Sequence, residues 1–199
     1  MIFDSHAHYD DKAFDEDREQ LLGSFPEKGI GYVVNAGASF DSNERGLELT
    51  KEYPFLYAAV GIHPEHAHTL DNASLEWLRS RFSNPKAVAV GEIGLDYYWD
   101  EPARDIQKEA FSRQMALAKE IGRPVIIHSR DAAKDTLDMM KAAGAGDIGG
   151  VVHCFSYTRE MAREYLNMGF FLGIGGVLTF SNARKLKEVV EYIPLESIV

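Results

Sequence analysis

Two histidines near the start of the chain are the first residues that could do chemistry. His6 and His8 stand two apart in a segment with the composition of a β-strand, so both side chains project from one face and could bind one cation together. Two polar residues at a strand end would give the same pattern. The pair alone is therefore only a weak sign of a metal site.

Residues of metal-ligand type also occur in three later apolar segments. Glu92 lies in Val-Gly-Glu-Ile-Gly-Leu-Asp-Tyr, His128 in Val-Ile-Ile-His-Ser-Arg-Asp and His153 in Val-Val-His-Cys-Phe-Ser. A single histidine in an apolar run is usually a hydrogen-bonded core residue. Because histidines end three separate strand-like segments and a glutamate lies in a fourth, we predict one shared metal site instead.

The segments that must position these residues alternate between two patterns. Short apolar or β-branched runs are separated by longer runs of helical period, which is typical of strand-helix units around a parallel sheet. We predict seven strands, at residues 2–8, 32–37, 57–64, 87–98, 124–130, 149–156 and 170–176. The clearest helix covers residues 102–121 and is closed by Gly122, and other helices are predicted to open at Ser42, Ser74, Asp131, Thr158 and Ser181.

The spacing of the strands predicts a TIM (β/α)8 barrel. The strand starts recur about every 28 residues, and Ile198 begins what looks like an eighth strand. In such a barrel the strand ends before the helices converge on one mouth, where active sites lie. These barrels typically need about 250 residues, whereas this chain has 199, so we expect an incomplete barrel of about seven units, and a less stable one than a closed form. No linker divides the chain, so we expect a single domain over residues 1–199.

The composition excludes several classes of protein. With 45% apolar residues, the chain is unlike collagen, coiled coils or disordered proteins. Its net charge of -10 repels phosphate, so nucleic acid would need a local positive site such as a bound metal. The single cysteine excludes an internal disulfide. The start lacks the basic segment of a secretory signal, and no apolar run is long enough to span a membrane, so we expect a soluble, cytoplasmic protein without a membrane partner.

Three other groups could support the chemistry. Arg130 shares a strand face with His128 and could bind a phosphate oxygen, or it could form an ion pair with a neighbouring helix. His63 ends the third strand before Pro64, which could direct the imidazole at substrate or at a water. A second His-x-His pair, His66 and His68, lies in a predicted loop and is interpreted as surface.

Four further residues lie next to the predicted ligands. Asp4 has the strand parity of His6 but lies deeper, so we expect it to act as a hydrogen-bond partner. Asp96 and Tyr97 follow Glu92 at the rim, where the aspartate could orient a ligand and the tyrosine could either stack on a base or pack in the core. Cys154 adjoins His153 and is predicted to be a buried, inert thiol that faces the helices.

Five motifs in order carry a resemblance to a known family. Phe-Asp-Ser-His-Ala-His, Gly-Ile-His-Pro, Gly-Glu-Ile-Gly-Leu-Asp-Tyr, His-Ser-Arg-Asp-Ala and Val-His-Cys-Phe-Ser resemble the TatD family of metal-dependent deoxyribonucleases over essentially the whole chain. The resemblance implies a TIM barrel with two metal ions, one held by His6, His8 and Glu92 and the other by bridging Glu92 with His128 and His153. The family's last motif, Leu-Glu-Thr-Asp at the end of strand eight, is absent.

The resemblance also implies a function. Two divalent ions, as Mg, Mn or Zn, could clamp a phosphodiester of DNA and activate a water. The predicted catalytic residues are Glu92 together with His63 and Arg130, which are chosen for their positions at strand ends. The implied substrates are single strands or strand ends. Two alternatives stay open: hydrolysis of another ester or amide, because related barrels share the histidine pair, and a catalytically inactive fragment. The oligomeric state is not predicted.

Overall fold

Seven parallel strands form one curled sheet with helices on its outer face. The structure is a computed structural model that describes residues 1–199. The strands are β1 (Ile2–Ala7), β2 (Ile30–Ala36), β3 (Leu56–Val60), β4 (Ala87–Asp96), β5 (Val125–Arg130), β6 (Gly150–Val152) and β7 (Phe171–Leu172). Their order in the sheet follows their order in the chain. The predicted architecture, an incomplete TIM-type barrel of seven strands, is confirmed.

Seven α-helices follow the strands. They are α1 (Arg18–Gly23), α2 (Phe40–Glu52), α3 (Asn72–Arg81), α4 (Arg104–Ile121), α5 (Ala133–Ala142), α6 (Arg159–Asn167) and α7 (Arg184–Tyr192). Sequence analysis missed the short α1. Gly122 ends α4 in the left-handed conformation at φ 62°, as its position predicted. None of the helices combines the length and apolar character that crossing a membrane requires.

Several helices begin a few residues away from their predicted openings. Ser39 caps α2 by accepting from the amide of Ser42, and Asp71 caps α3 by accepting from the amide of Ser74. The predicted residues are therefore the donors in the first turn and not the caps. Thr158 caps α6 as predicted. The helices expected at Asp131 and Ser181 begin at Ala133 and Arg184.

The last two strands are shorter than predicted, which affects the site. β6 ends at Val152, and Cys154 adopts a positive φ of 45°. Strand alternation therefore does not continue through His153 and Cys154. The chain turns there, and Cys154 is exposed instead of buried against the helices, so that prediction is wrong.

The open side of the sheet lies between β1 and β7. Ile198 forms a parallel bridge with Leu172, so the segment predicted as the start of an eighth strand does pair with β7. The amide of Val199 donates to the carbonyl of Leu172 at 3.0 Å. A groove of about 310 Å³ separates this segment from β1, and Phe3 and Val199 line it. The two ends of the sheet therefore approach each other without joining.

The largest buried cluster packs β4 to β7 against the later helices. It contains Val90, Phe111, Met115 and Tyr165, all nearly inaccessible to solvent. Burying apolar surface at this interface is the main term that stabilises the sheet against its helices. The strands with the predicted ligands, β4 and β5, are thus held from behind by a continuous core.

Removing one buried hydroxyl should leave the protein as stable or make it more stable. The hydroxyl of Tyr165 is buried in that core and has no hydrogen-bond partner within the protein, and an unpaired buried polar group costs about 1–3 kcal/mol. We expect Tyr165→Phe to raise the free energy of unfolding by up to about 1 kcal/mol in urea denaturation.

Tyr157→Phe is the matched control for that substitution. The Tyr157 hydroxyl lies 2.9 Å from the Ser129 hydroxyl, so its removal should lower stability by about 1 kcal/mol. Equal losses in both variants would contradict the expectation.

Candidate metal centre

The predicted ligands meet at the carboxyl-terminal edge of the sheet. His6, Glu92 and His128 lie on β1, β4 and β5, while His8 and His153 each follow the last residue of a strand by one. Because all strands are parallel, these ends face the same side. The curl of the sheet then brings residues from distant strands into one cluster.

Glu92 lies at the centre of the cluster and faces histidines with both oxygens. Its Oε2 is 3.2 Å from His6 Nε2 and 3.4 Å from His8 Nε2, while its Oε1 is 2.9 Å from His128 Nδ1. The side chain is only 3% exposed. Burial opposes ionisation, but hydrogen bonds from His128, His6 and His8 hold the pKa of Glu92 well below its usual range. The carboxylate therefore has the arrangement of a bridging ligand.

His6 and His8 form one side of the cluster. The Nδ1 of His8 lies 2.9 Å from the carbonyl oxygen of Ala36, so Nδ1 carries a proton and donates, and Nε2 is the ring nitrogen that faces the cluster. The Nε2 atoms of His6 and His8 are 3.0 Å apart and face the same Glu92 oxygen. The hydrogen bond to Glu92 raises the pKa of His8. Two imidazoles and a carboxylate that converge in this way are a donor set that fits a divalent metal.

His128 forms the other side, and Asp96 supports it. His128 Nε2 is 3.0 Å from Asp96 Oδ2, and Asp96 is 2% exposed. The side chain of Gln107 binds both backbone groups of Asp96 and so holds this strand end in place. Burial lowers the pKa of His128, but hydrogen bonds to Asp96 and Glu92 outweigh it and raise the pKa to about 9. Both ring nitrogens of His128 therefore donate to carboxylates.

Sequence analysis placed Asp96 at the rim as a residue that could orient a ligand, and the structure shows it in contact with His128, although buried. The usable signal was the even spacing between Glu92 and Asp96, which puts both side chains on one face of β4. Only the tight pairing of β4 with β5, where Gly94 stands opposite His128, brings the aspartate onto the imidazole. Asp96 is thus a buried hydrogen-bond partner of His128.

His153 and His63 complete two groups of three. The ring of His153 stacks on His6 with centroids 3.4 Å apart, and burial lowers the pKa of His153 to about 3. The ring of His63 lies 4.3 Å from that of His128, and burial lowers the pKa of His63 to about 4. The nitrogen and oxygen atoms of His6, Glu92 and His153 lie within 4.8 Å of one another, and so do those of His63, Glu92 and His128.

This grouping differs from the one that the resemblance implies. His153 was expected beside His128, yet it lies against His6 because the curled sheet brings the end of β6 towards β1 across the open side. His63 takes the place beside His128 because the end of β3 adjoins β4. Both triads share Glu92, so each could hold one ion.

The remaining candidates lie around this cluster. Asp4 accepts a hydrogen bond from the amide of His6 at 3.2 Å, in the supporting position that was predicted. His68 is exposed in a short 3-10 helix, and His66 is partly exposed beside it. Arg130 is exposed and lies over the ring of Tyr98 at 3.8 Å, without an ion pair to a helix. Of the two His-x-His pairs, His6 and His8 contact Glu92, whereas His66 and His68 lie outside the cluster.

A parallel barrel sheet with histidines and a carboxylate at its mouth defines a class of protein, the barrel-type metal-dependent hydrolases. Comparison with known proteins narrows the class. The family model for TatD related DNase matches residues 3–199. The chain is 42% identical over 199 residues to YabD of Bacillus subtilis, an uncharacterized metal-dependent hydrolase. The alignment covers 100% of this chain and 78% of YabD. This protein belongs to the TatD family of metal-dependent hydrolases.

Two further relatives agree with this assignment. The crystal structure of YjjV, a TatD homolog from Escherichia coli K12, superimposes with a TM-score of 0.92 at 34% identity, over 100% of this chain and 77% of the other. A Cronobacter turicensis protein named 3'-5' ssDNA/RNA exonuclease TatD is 30% identical and is matched over 76% of its length. The resemblance seen in the sequence motifs is thus confirmed at the level of the family.

Replacing Asp96 with asparagine should weaken metal binding. Asparagine keeps the shape but removes the negative charge that orients His128. Losing such a partner of a metal-binding histidine typically costs about 10–100-fold in affinity. Calorimetric titration with Mn²⁺ should show this loss, while Asp138→Asn, on the exposed face of α5, should bind as the wild type does. An unchanged affinity in Asp96→Asn would mean that His128 is not a ligand.

Proposed function

We propose that this protein hydrolyses phosphodiester bonds in DNA, acting on single strands or strand ends with two divalent metal ions. The observation that carries the proposal is the position of Glu92, whose Oε2 faces His6 and His8 while its Oε1 faces His128. A carboxylate placed in this way can hold two cations close together, as in two-metal sites that cleave phosphate esters. His6, His8 and His153 would hold one ion with Glu92, and His63 and His128 the other.

Metal ions supply two kinds of chemistry when bound: they polarise a phosphoryl oxygen and lower the pKa of a water. The residues of the chain do the rest. Glu92 sets the spacing of the cluster, and Asp96 keeps the imidazole of His128 in one orientation. The exposed guanidinium of Arg130 can donate to a second phosphate oxygen. His63, whose lowered pKa keeps it neutral at pH 7, can accept a proton or serve as a ligand.

The charge of the protein favours a phosphate substrate only at the cluster around Glu92. The chain has a net charge of -10, so most of its surface repels DNA. At this cluster, bound cations and Arg130 can make the local charge positive. The name of the Cronobacter turicensis relative, an exonuclease for single-stranded DNA and RNA, supports the same substrate class.

Hydrolysis of an end-labelled oligonucleotide tests the proposal. The purified protein, stripped with chelator and reloaded with Mg²⁺, Mn²⁺ or Zn²⁺, is incubated with single-stranded DNA, single-stranded RNA and a blunt duplex. We expect metal-dependent shortening of the single strands and slower attack on the duplex. Hydrolysis of p-nitrophenyl acetate or of an anilide, with intact oligonucleotides, would overturn the proposal in favour of an esterase or amidase.

A further inference from the structure

Two large aromatic side chains are exposed just after β4. Tyr98 is 54% exposed and Trp99 is 62% exposed, although the segment before them is buried. Their rings meet edge to face, with centroids 4.9 Å apart and planes at 89°. Two such rings in water lack the free energy that burial of large aromatic side chains supplies. Adjoining exposed aromatic side chains are typical of binding sites.

The neighbouring tyrosine is not available in the same way. The hydroxyl of Tyr97 donates to Asp135 at 2.8 Å, and the guanidinium of Arg104 lies 4.2 Å from the ring centre. The sequence left open whether Tyr97 stacks on a base or packs within the protein, and the structure shows it packed. The exposed aromatic surface consists of the next two residues instead.

A cation lies directly on this surface. The guanidinium of Arg130 lies 3.8 Å from the ring centre of Tyr98, which is a cation-π contact. Arg130 forms no ion pair, so its donors stay free for an anion. The acidic neighbour Asp100 is already paired with Arg104 at 2.7 Å, which reduces its repulsion of phosphate.

The surface is continuous with the metal centre. The amide of Tyr98 donates to Asp96 Oδ1 at 3.0 Å, and the other oxygen of Asp96 contacts His128. The amide of Tyr97 donates to the carbonyl of Arg130 at 2.9 Å, and Arg130 stands two residues after His128 on β5. Aromatic rings, a free arginine and the ligand cluster therefore occupy adjoining strand ends.

We propose that Tyr98 and Trp99 form a stacking surface for a base of single-stranded nucleic acid, next to a phosphate bound by Arg130. This inference rests on the proposed function and names how the substrate strand is held. Aromatic faces stack on any base, and a duplex hides the faces of its bases within the stack, so the surface selects single strands with little sequence preference. The adjacent phosphate of the same strand is then positioned towards the metal centre.

Tryptophan fluorescence tests the stacking without any turnover. The chain has two tryptophans, and Trp77→Phe leaves Trp99 as the only one. With Mn²⁺ present, hydrolysis-resistant phosphorothioate decamers of single-stranded DNA should quench this signal and saturate, whereas a phosphorothioate decamer with abasic sites should bind about tenfold more weakly. Equal binding of the abasic strand would overturn the proposal.

Substitution of Trp99 is a second test of the stacking surface. Binding measured with a labelled phosphorothioate decamer in the presence of Mn²⁺ should weaken about tenfold in Trp99→Ala, and the KM for oligonucleotide hydrolysis should rise by a similar factor. Tyr192→Ala is the control, because Tyr192 is an exposed aromatic side chain as Trp99 is, but lies on α7. Wild-type affinity in Trp99→Ala would overturn the stacking surface, while the wild-type cleavage assay separately decides whether the protein is a nuclease.

Discussion

Glu92→Ala should lose metal binding and nearly all hydrolytic activity. The carboxylate contacts histidines through both oxygens, so its removal leaves both triads without their shared ligand and two cations without the charge between them. Metal ions stabilise the transition state of such reactions by several kcal/mol, so we expect a fall in the rate of roughly 10³-fold or more. Metal content by elemental analysis and cleavage of a single-stranded oligonucleotide measure the two effects.

The second His-x-His pair supplies the control for this experiment. His68→Ala and His66→Ala change residues outside the cluster and should keep metal content and the cleavage rate within about twofold of the wild type. Circular dichroism should confirm that all three variants fold. Equal losses in the three variants would show that the metal site has been assigned to the wrong histidines.

Gly94→Ala should be strongly destabilising, although Gly94 itself is not one of the candidate ligands. Gly94 has a φ of 149°, and a Cβ added there would lie 1.9 Å from the backbone carbonyl oxygen of His128. Backbone cannot yield as a flexible side chain can, so β5 would have to move away from β4 and take His128 with it. We expect a loss of at least about 3 kcal/mol in urea denaturation and weaker metal binding.

Gly122→Ala is the matched control for the effect of backbone strain. Gly122 also has a positive φ, 62°, but an added Cβ would meet nothing within 4 Å. The expected loss is therefore only about 1 kcal/mol, the cost of the left-handed conformation at a helix end. If the two variants unfold at the same urea concentration, the close approach of β4 and β5 is not what holds His128 in place.

The amino-acid sequence by itself determined the order of the strands and most residues of the cluster. Strand and helix periodicities are local properties, so seven strands and the clear helix before Gly122 could be recognised from short windows. The candidate ligands followed from one further rule, that the ends of parallel strands share one side of a sheet. His6, Glu92, His128 and His153 could therefore be placed together before any coordinates were known.

Only the tertiary structure decided which of these residues touch. The stacking of His153 on His6 depends on how far the sheet curls, and the burial of Asp96 against His128 depends on the register of β4 and β5. Cys154 is exposed because β6 ends at Val152, two residues before Cys154, and strand alternation cannot show where a strand ends. Curl, register and strand length arise from packing between segments far apart in the chain, and local sequence patterns do not encode those distances.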